Sequence, residues 1–215
     1  MRLLSVIALT LCLAGAAAAV AEPRSSSDSR EPAVLSALPC VDCPPGAQQE
    51  GEPPCVDEYR DDYNSGCGGT SYRWTPLVPD ASGCATMCAK SCTFLFDGLS
   101  YRDSDWFDCV AAGGQVTASC QAEFPILFMF MYNPVCYDLR YDYVFGDACE
   151  TVTLSRTIPA GEHVWLWVAP SAFTGVPEQS YVLEACGLLS DPMGVPEQEP
   201  AKAATWGRIK SRFAP

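Results

Sequence analysis

Three observations predict an all-β fold, an antiparallel β-sandwich stapled by disulfides. Seven short runs rich in β-branched and aromatic residues follow one another from Thr93 to Gly187, separated by Asp-Gly, Gly-Gly, Asn-Pro and Ala-Gly turn signals, with no sustained helical period. After Cys12, twelve cysteines remain at 40, 43, 55, 67, 84, 88, 92, 109, 120, 136, 149 and 186. An even number in an exported chain reads as a disulfide framework. The stretch from Cys40 to Cys186 is long enough for one domain with its own core and short for two.

The elements follow in order. Residues 1–21 carry Arg2, an apolar run and the sequence Ala19-Val20-Ala21 before Glu22-Pro23, which reads as a cleaved signal peptide. Cys12 is preceded by Leu11, where lipidation needs a small residue. Residues 22–39 are polar and Pro-containing, a flexible leader. The domain itself spans 40–187 and opens with a loop-rich part, 44–92, dense in Pro, Gly, Asp and Cys; within it "CATMCAKSC" suits a short helix. Then come the strand candidates "TFLFDGLS", "DWFDCVAAGG", "QVTASCQAEF", "PILFMFMY", "ETVTLSRTI", "HVWLWVAPS" and "SYVLEACG". "FPILFMFMY" is apolar on both parities, which fits a central strand covered on both faces or an exposed strip that binds a partner. A Pro/Glu linker, 188–200, leads to a basic tail, 201–215. On a helix Trp206, Ile209 and Phe213 share a face, as in a segment read by export or anchoring machinery or by an anionic surface.

Spacing alone leaves disulfide connectivity open. Strand geometry suggests Cys109 with Cys120 across a hairpin, Cys136 with Cys149, Cys55 with Cys67, and Cys43 with Cys186 tying the two ends.

Twenty Asp and Glu face six Lys and Arg between Cys40 and Cys186, and the whole chain carries a net charge of −13. This balance argues against nucleic-acid and anionic-membrane partners and favours cations. No stretch after the signal peptide is long enough for a transmembrane span. The single histidine, His163, sits in an alternating run, which weakens every chemistry that needs a placed imidazole. A Cys-only zinc site built on Cys40, Cys43, Cys84, Cys88 and Cys92 is weaker than the disulfide reading in an exported chain.

The carboxylates carry more. In "LSYRDSDWFDC" a strand would point Asp103 and Asp105 to one face, where two negative groups repel unless a cation, a hydrogen-bond cage or protonation relieves them. A catalytic couple, a calcium cradle and a turn closed by pairing with Arg102 are the three readings. Calcium accepts many oxygens in flexible geometry, and the loop-rich part adds Glu50, Glu52, Asp57, Asp61 and Asp62.

"EGEPPC", "GLSYRDSDWF", "AEFPILFMF", "PAGEHVWLWVAPSAFTG" and "YVLEACG" resemble, in order, the strands of the bacterial pre-peptidase C-terminal domain and secreted domains like it. The resemblance covers about residues 43–187. It implies a jelly-roll-like sandwich that is not itself an enzyme and accompanies exported proteins, with calcium held near the Glu-x-Glu opening and an Asp-bearing strand. By position Glu50 and Glu52 match the opening, and Asp103 and Asp105 match the Asp-x-Asp. Where the relatives run Glu-Pro-Asn-Asp, this chain has Glu52-Pro53-Pro54-Cys55, so two oxygen donors are absent and Asp57 is the substitute at hand. The "TWGRIKSRF" ending resembles tails of exported bacterial proteins of this sort.

The sequence thus predicts a secreted, cell-surface or periplasmic, non-catalytic binding module that holds calcium and takes an extracellular polymer or cell-surface partner. Its ligand face would carry Phe128, Phe130, Trp165 and Trp167, if those rings are exposed rather than core. The alternatives are a small carbohydrate-active hydrolase using Asp103 or Asp105 with Glu123, and a structural envelope protein.

Overall fold

In the computed structural model, residues 39–69, 72–132 and 134–190 are described. The signal peptide, almost all of the leader, most of the linker and the tail lie outside them.

Twelve strands build the fold: β1 (Gln48–Gln49), β2 (Thr75–Pro76), β3 (Cys84–Ser91), β4 (Thr93–Phe96), β5 (Leu99–Arg102), β6 (Asp105–Val110), β7 (Gly114–Ala122), β8 (Ile126–Tyr132), β9 (Arg140–Gly146), β10 (Thr151–Ile158), β11 (His163–Pro170) and β12 (Gln179–Cys186). One five-stranded sheet runs β1-β3-β12-β7-β10, the other β2-β6-β11-β8-β9, and β4 and β5 form a separate hairpin. Asp97 and Gly98 both take positive φ (50° and 71°), as the Asp-Gly turn of a two-residue hairpin requires. The expected sandwich is therefore present.

Alternation fixes which residues meet between the sheets. Met87, Ala118, Cys120, Tyr181 and Leu183 from the first sheet meet Phe107, Cys109, Phe128, Phe130, Leu166 and Val168 from the second in one buried core. The second sheet is buried on its other face as well. Trp106, Trp165, Trp167, Leu127, Met129 and Met131 form an outer cluster covered by Trp74, Leu139 and Tyr141, with Trp74 stacked on Trp165 at 4.5 Å. This is why "PILFMFMY" is apolar on both parities: β8 lies between β11 and β9, with Ile126 to Met131 all buried. Gly66 belongs to the covering segment. A Cβ there would lie 2.2 Å from the Trp106 ring, so only glycine allows the approach.

The structure corrects several of these expectations. "CATMCAKSC" forms no helix: its first eight residues are β3, which pairs with β12 over its whole length. Four-residue spacing places residues on one face of a strand as well as of a helix, and Ala85, Met87 and Ala89 fill the core from the other parity. β9, "RYDYVFG", went unread because its inward positions include Asp142 and its outward ones carry exposed rings.

The disulfides also differ. They join Cys40–Cys149, Cys43–Cys88, Cys55–Cys92, Cys67–Cys136 and Cys84–Cys186. Cys109 and Cys120 are free and buried. Their strands, β6 and β7, are consecutive but belong to opposite sheets, so no hairpin pairs them. Cys136 instead meets Cys67 where two covering segments cross the outer face, and Cys43 and Cys55 both reach β3 or its end.

Finally, Phe128, Phe130, Trp165 and Trp167 are buried and form no ligand face. Phe128 and Phe130 point between the sheets, and the two tryptophans lie beneath Trp74 and its neighbours.

Phe130→Ala should therefore lower stability by about 3–5 kcal/mol, measured by denaturant unfolding, as truncation of a fully buried phenylalanine does. Alkylation followed by peptide mapping should mark neither Cys109 nor Cys120 in the native protein, and both once it is unfolded without reductant.

Candidate cation site

The segment from Cys43 to Asn64 lies against β3 and carries the first ligands. β1 pairs in parallel with β3, setting Gln48 opposite Met87 and Gln49 opposite Cys88, and the Glu50 amide donates to the Cys88 carbonyl at 3.2 Å. Cys43–Cys88 and Cys55–Cys92 bracket the two glutamates, so both ends of the Glu50–Glu52 stretch are covalently fixed to β3 or the residue just past it. Gly51, at φ 80°, turns the chain between them.

Onto this stretch the start of β6 brings Asp103 and Asp105. Glu50 is 6% exposed, Asp103 1% and Asp105 0%. Oxygens of Glu50, Glu52 and Asp105 lie within 4.8 Å of one another, and so do those of Glu52, Asp61 and Asp103, with Glu52 common to both sets. Tyr181 donates its hydroxyl to Asp105 at 2.6 Å and thereby bridges the two sheets. Asn64 donates to Glu50, Tyr59 to Glu52, and the Ser104 hydroxyl to Asp61 at 3.1 Å. A cleft of about 330 Å³ reaches Glu50, Glu52 and Asp103 from outside.

None of these five carboxylates has a lysine or arginine partner among the described residues. Lys90, which lines the same cleft, is taken by Glu178 at 2.9 Å. Arg102 turns away: it donates to the Pro170 carbonyl at 3.1 Å and packs over Trp167 and Phe173. The reading of Asp103 and Asp105 as a turn closed by Arg102 is thus overturned. Burial, and then the charges of their neighbours, hold Glu50, Asp103 and Asp105 well above the ordinary carboxylate range. Burial raises Glu52 too, and burial with the Glu52 charge pushes Asp61 up to about 7.

Four buried oxygens in this group lack any hydrogen-bond partner: Glu52 Oε2, Asp61 Oδ1, Asn64 Oδ1 and Asp103 Oδ1. Buried oxygens of this kind carry a desolvation cost that a ligand would offset. An all-oxygen, acid-rich set with unused lone pairs fits a hard cation such as calcium better than a softer metal, which favours imidazole or thiolate.

Of the expected ligands, Glu50, Glu52, Asp103 and Asp105 come together. Asp57 does not. Its carboxylate accepts the Leu95 amide at 2.9 Å and ties the segment to the β4–β5 hairpin, while Asp61 takes the place it was expected to fill. Asn64, fully buried in the group, was missed, since no motif marks it. Glu123 stands apart from both oxygen sets and accepts the Ser180 amide at 3.0 Å. His163 is held by Asp108 at 2.8 Å, away from the group.

No protein-family profile matches the chain, and no curated protein is detectably similar to it. Solved structures with partial likeness include PliG of Aeromonas hydrophila, a periplasmic inhibitor of g-type lysozyme, at 11% identity over 52% of this chain and 95% of that one, with a TM-score of 0.35. The pre-peptidase C-terminal domain of a Bacillus anthracis collagenase matches at 10% identity over 54% and 99%, TM-score 0.34. CorA of Methylomicrobium album BG8, a surface-associated copper-binding protein, matches at 11% over 53% and 98%, TM-score 0.34. Likeness at this level carries no argument about what the chain binds.

Carboxyl groups with folded-state pKa values raised above their unfolded ones stabilise the protonated fold, and that stability is lost as pH rises through the folded value. In chelator, thermal stability should therefore fall between about pH 4, where unfolded carboxylates titrate, and pH 7, the region to which Asp61 is raised. His163, raised by its bond to Asp108, adds a loss of the same sign, so Asp61→Asn, which should flatten the profile, isolates the cluster. Replacing Cys55 and Cys92 together by serine should cost about 2–5 kcal/mol in reversible unfolding.

Proposed function

We propose that this chain is a secreted, non-catalytic β-sandwich binding module whose N-terminal segment is locked to the sandwich by calcium. The observation that carries the calcium reading is the group of five carboxylates, three of them buried, with no lysine or arginine among the described residues to neutralise them and with oxygens left unpaired. Isolated buried anions are strongly disfavoured, and either protonation or a bound cation relieves them. Glu50, Glu52 and Asp105 would hold an ion on one side of the group and Glu52, Asp61 and Asp103 on the other. The ion would supply charge neutralisation and a bond between the 43–64 segment, β6 and, through Tyr181, β12.

Export is supported by the signal-like first 21 residues and by five disulfides in one domain, since such bonds persist in oxidising compartments. A binding role, and not turnover, is supported by the use of these acids: each is tied to a neighbouring side chain within the fold or buried against its fellows. An extracellular polymer or cell-surface structure is the partner class in keeping with that placement. Among the described residues no helix is long and apolar enough to cross a membrane.

Thermal melts at pH 7.5 with calcium and with chelator test this reading. At a calcium concentration about a hundredfold above Kd, a site that binds only the folded state adds about 2.7 kcal/mol, or about 5–11 °C in a domain of this size. Asp103→Asn should lose that increment while remaining folded. A melting temperature indifferent to calcium in the wild-type protein would overturn the proposal.

A further inference from the structure

Asn64 is the member of the candidate cation site whose hydrogen-bonding capacity is half used. Its side chain is fully buried and does not line the cleft that reaches Glu50, Glu52 and Asp103. The NH2 end donates to a Glu50 oxygen and lies 3.4 Å from Asp105 Oδ1, so it faces two carboxylates of one oxygen set. The other end, Oδ1, is buried without a hydrogen-bond partner. The main chain around it is well held. The Asn64 carbonyl accepts the Trp106 amide at 3.1 Å, the Tyr63 hydroxyl donates to the Glu50 carbonyl at 3.0 Å, and Gly66 lies against the Trp106 ring with its amide donating to the Arg73 carbonyl at 2.7 Å. Fixed on both sides, the residue keeps one easy motion, rotation of the amide about its own bond.

Ionised carboxylates only accept hydrogen bonds, so without an ion the amide turns its NH2 towards Glu50 and Asp105. A cation seated among these oxygens reverses that preference. The NH2 protons carry partial positive charge and oppose the ion, whereas the amide oxygen is a neutral ligand of the kind calcium takes beside carboxylates. The two ends of an amide are nearly alike in size, and a half-turn exchanges nitrogen and oxygen without displacing a neighbour. Oδ1 gives up no hydrogen bond in that turn, because it makes none. In a buried asparagine with a purely structural part both ends are engaged, and the bonded oxygen locks the amide in one orientation.

We propose that Asn64 is a switching ligand: its NH2 steadies Glu50 and Asp105 while the site is empty, and its Oδ1 turns onto the ion held by Glu50, Glu52 and Asp105. The inference rests on the calcium reading and adds to it a neutral oxygen, placed by a residue outside the Glu-x-Glu and Asp-x-Asp pairs.

Calorimetric titration of the chelator-stripped full chain with calcium tests this, because a ligand and a mere donor predict opposite signs. If Asn64 is a ligand, Asn64→Leu should weaken calcium binding at least about tenfold, the scale on which even outer partners of a bound metal act. Asn64→Asp offers an oxygen in either orientation and should bind calcium at least as tightly as wild type, while melting at a lower temperature in chelator. If Asn64 only steadies the empty carboxylates, its loss to leucine destabilises the empty form, and calcium affinity stays level or rises; that result would overturn the proposal. Since Asn64→Leu is a core substitution that can prevent folding, the wild-type protein supplies a second arm by NMR. In chelator the Asn64 NH2 protons should show nuclear Overhauser contacts to the Glu50 side chain, and saturating calcium should weaken them sharply; unchanged contacts would equally overturn the proposal. Absence of any calcium binding by the wild type would defeat the calcium reading and this inference together, whereas wild-type binding that the leucine variant keeps in full would defeat this inference alone.

Discussion

The arrangement at one end of this sandwich is governed by electrostatic cost. Glu50, Glu52, Asp61, Asp103 and Asp105 share a largely buried space that no lysine or arginine among the described residues enters as a partner. Each lost its hydration on folding, and each raises the cost of ionising the next. The surrounding structure reads as the means of holding such a group together. Asn64, Tyr59, Ser104 and Tyr181 donate hydrogen bonds into it, and the two disulfides at Cys88 and Cys92 keep the glutamate-bearing stretch from swinging out to solvent. Arg60, Lys90 and Arg102 are engaged elsewhere, by Asp62, by Glu178 and by a carbonyl with two rings.

Strand β3 is the counterpart of that group in covalent terms. Its sequence spaces three cysteines four residues apart, at 84, 88 and 92, and each takes a partner from a different part of the chain: Cys186 at the end of the domain, Cys43 before β1 and Cys55 after it. The opposite parity of the same strand, Ala85, Met87 and Ala89, faces the core. One short strand therefore serves packing on one side and cross-linking on the other.

Much of the fold was legible because a strand's period of two leaves a plain trace in β7, β10 and β12, and because β6, β8 and β11, buried on both faces, are short aromatic and β-branched runs between turn signals. β3 was not, since cysteines four apart are compatible with a helix and with a strand, and the partners that decide the matter lie tens of residues away. The pairing of cysteines was illegible for a related reason. Which strands neighbour each other depends on crossovers between sheets, and β6 and β7, adjacent in sequence, are separated by the full thickness of the core. In the site, the Glu-x-Glu and Asp-x-Asp pairs could be seen because the ligands sit on alternate residues of extended chain. Asp57 and Asp61 could not be told apart, because the path of the loop between Cys55 and Asn64 is set by its contact with the hairpin and not by any local pattern. Trp165 and Trp167 looked like a ligand platform because nothing in their own strand announces that Trp74, ninety residues earlier, lies over them.

Cys109 and Cys120 add a consequence for the disulfides themselves. They are the two cysteines of the domain that face the interior, and burial holds both thiols far above their ordinary pKa, so neither offers a thiolate for exchange once the sheets have closed. The other ten cysteines of the domain are paired in the five disulfides. The closed interior thus shields these two sulfurs from exchange that could scramble the five bonds around them.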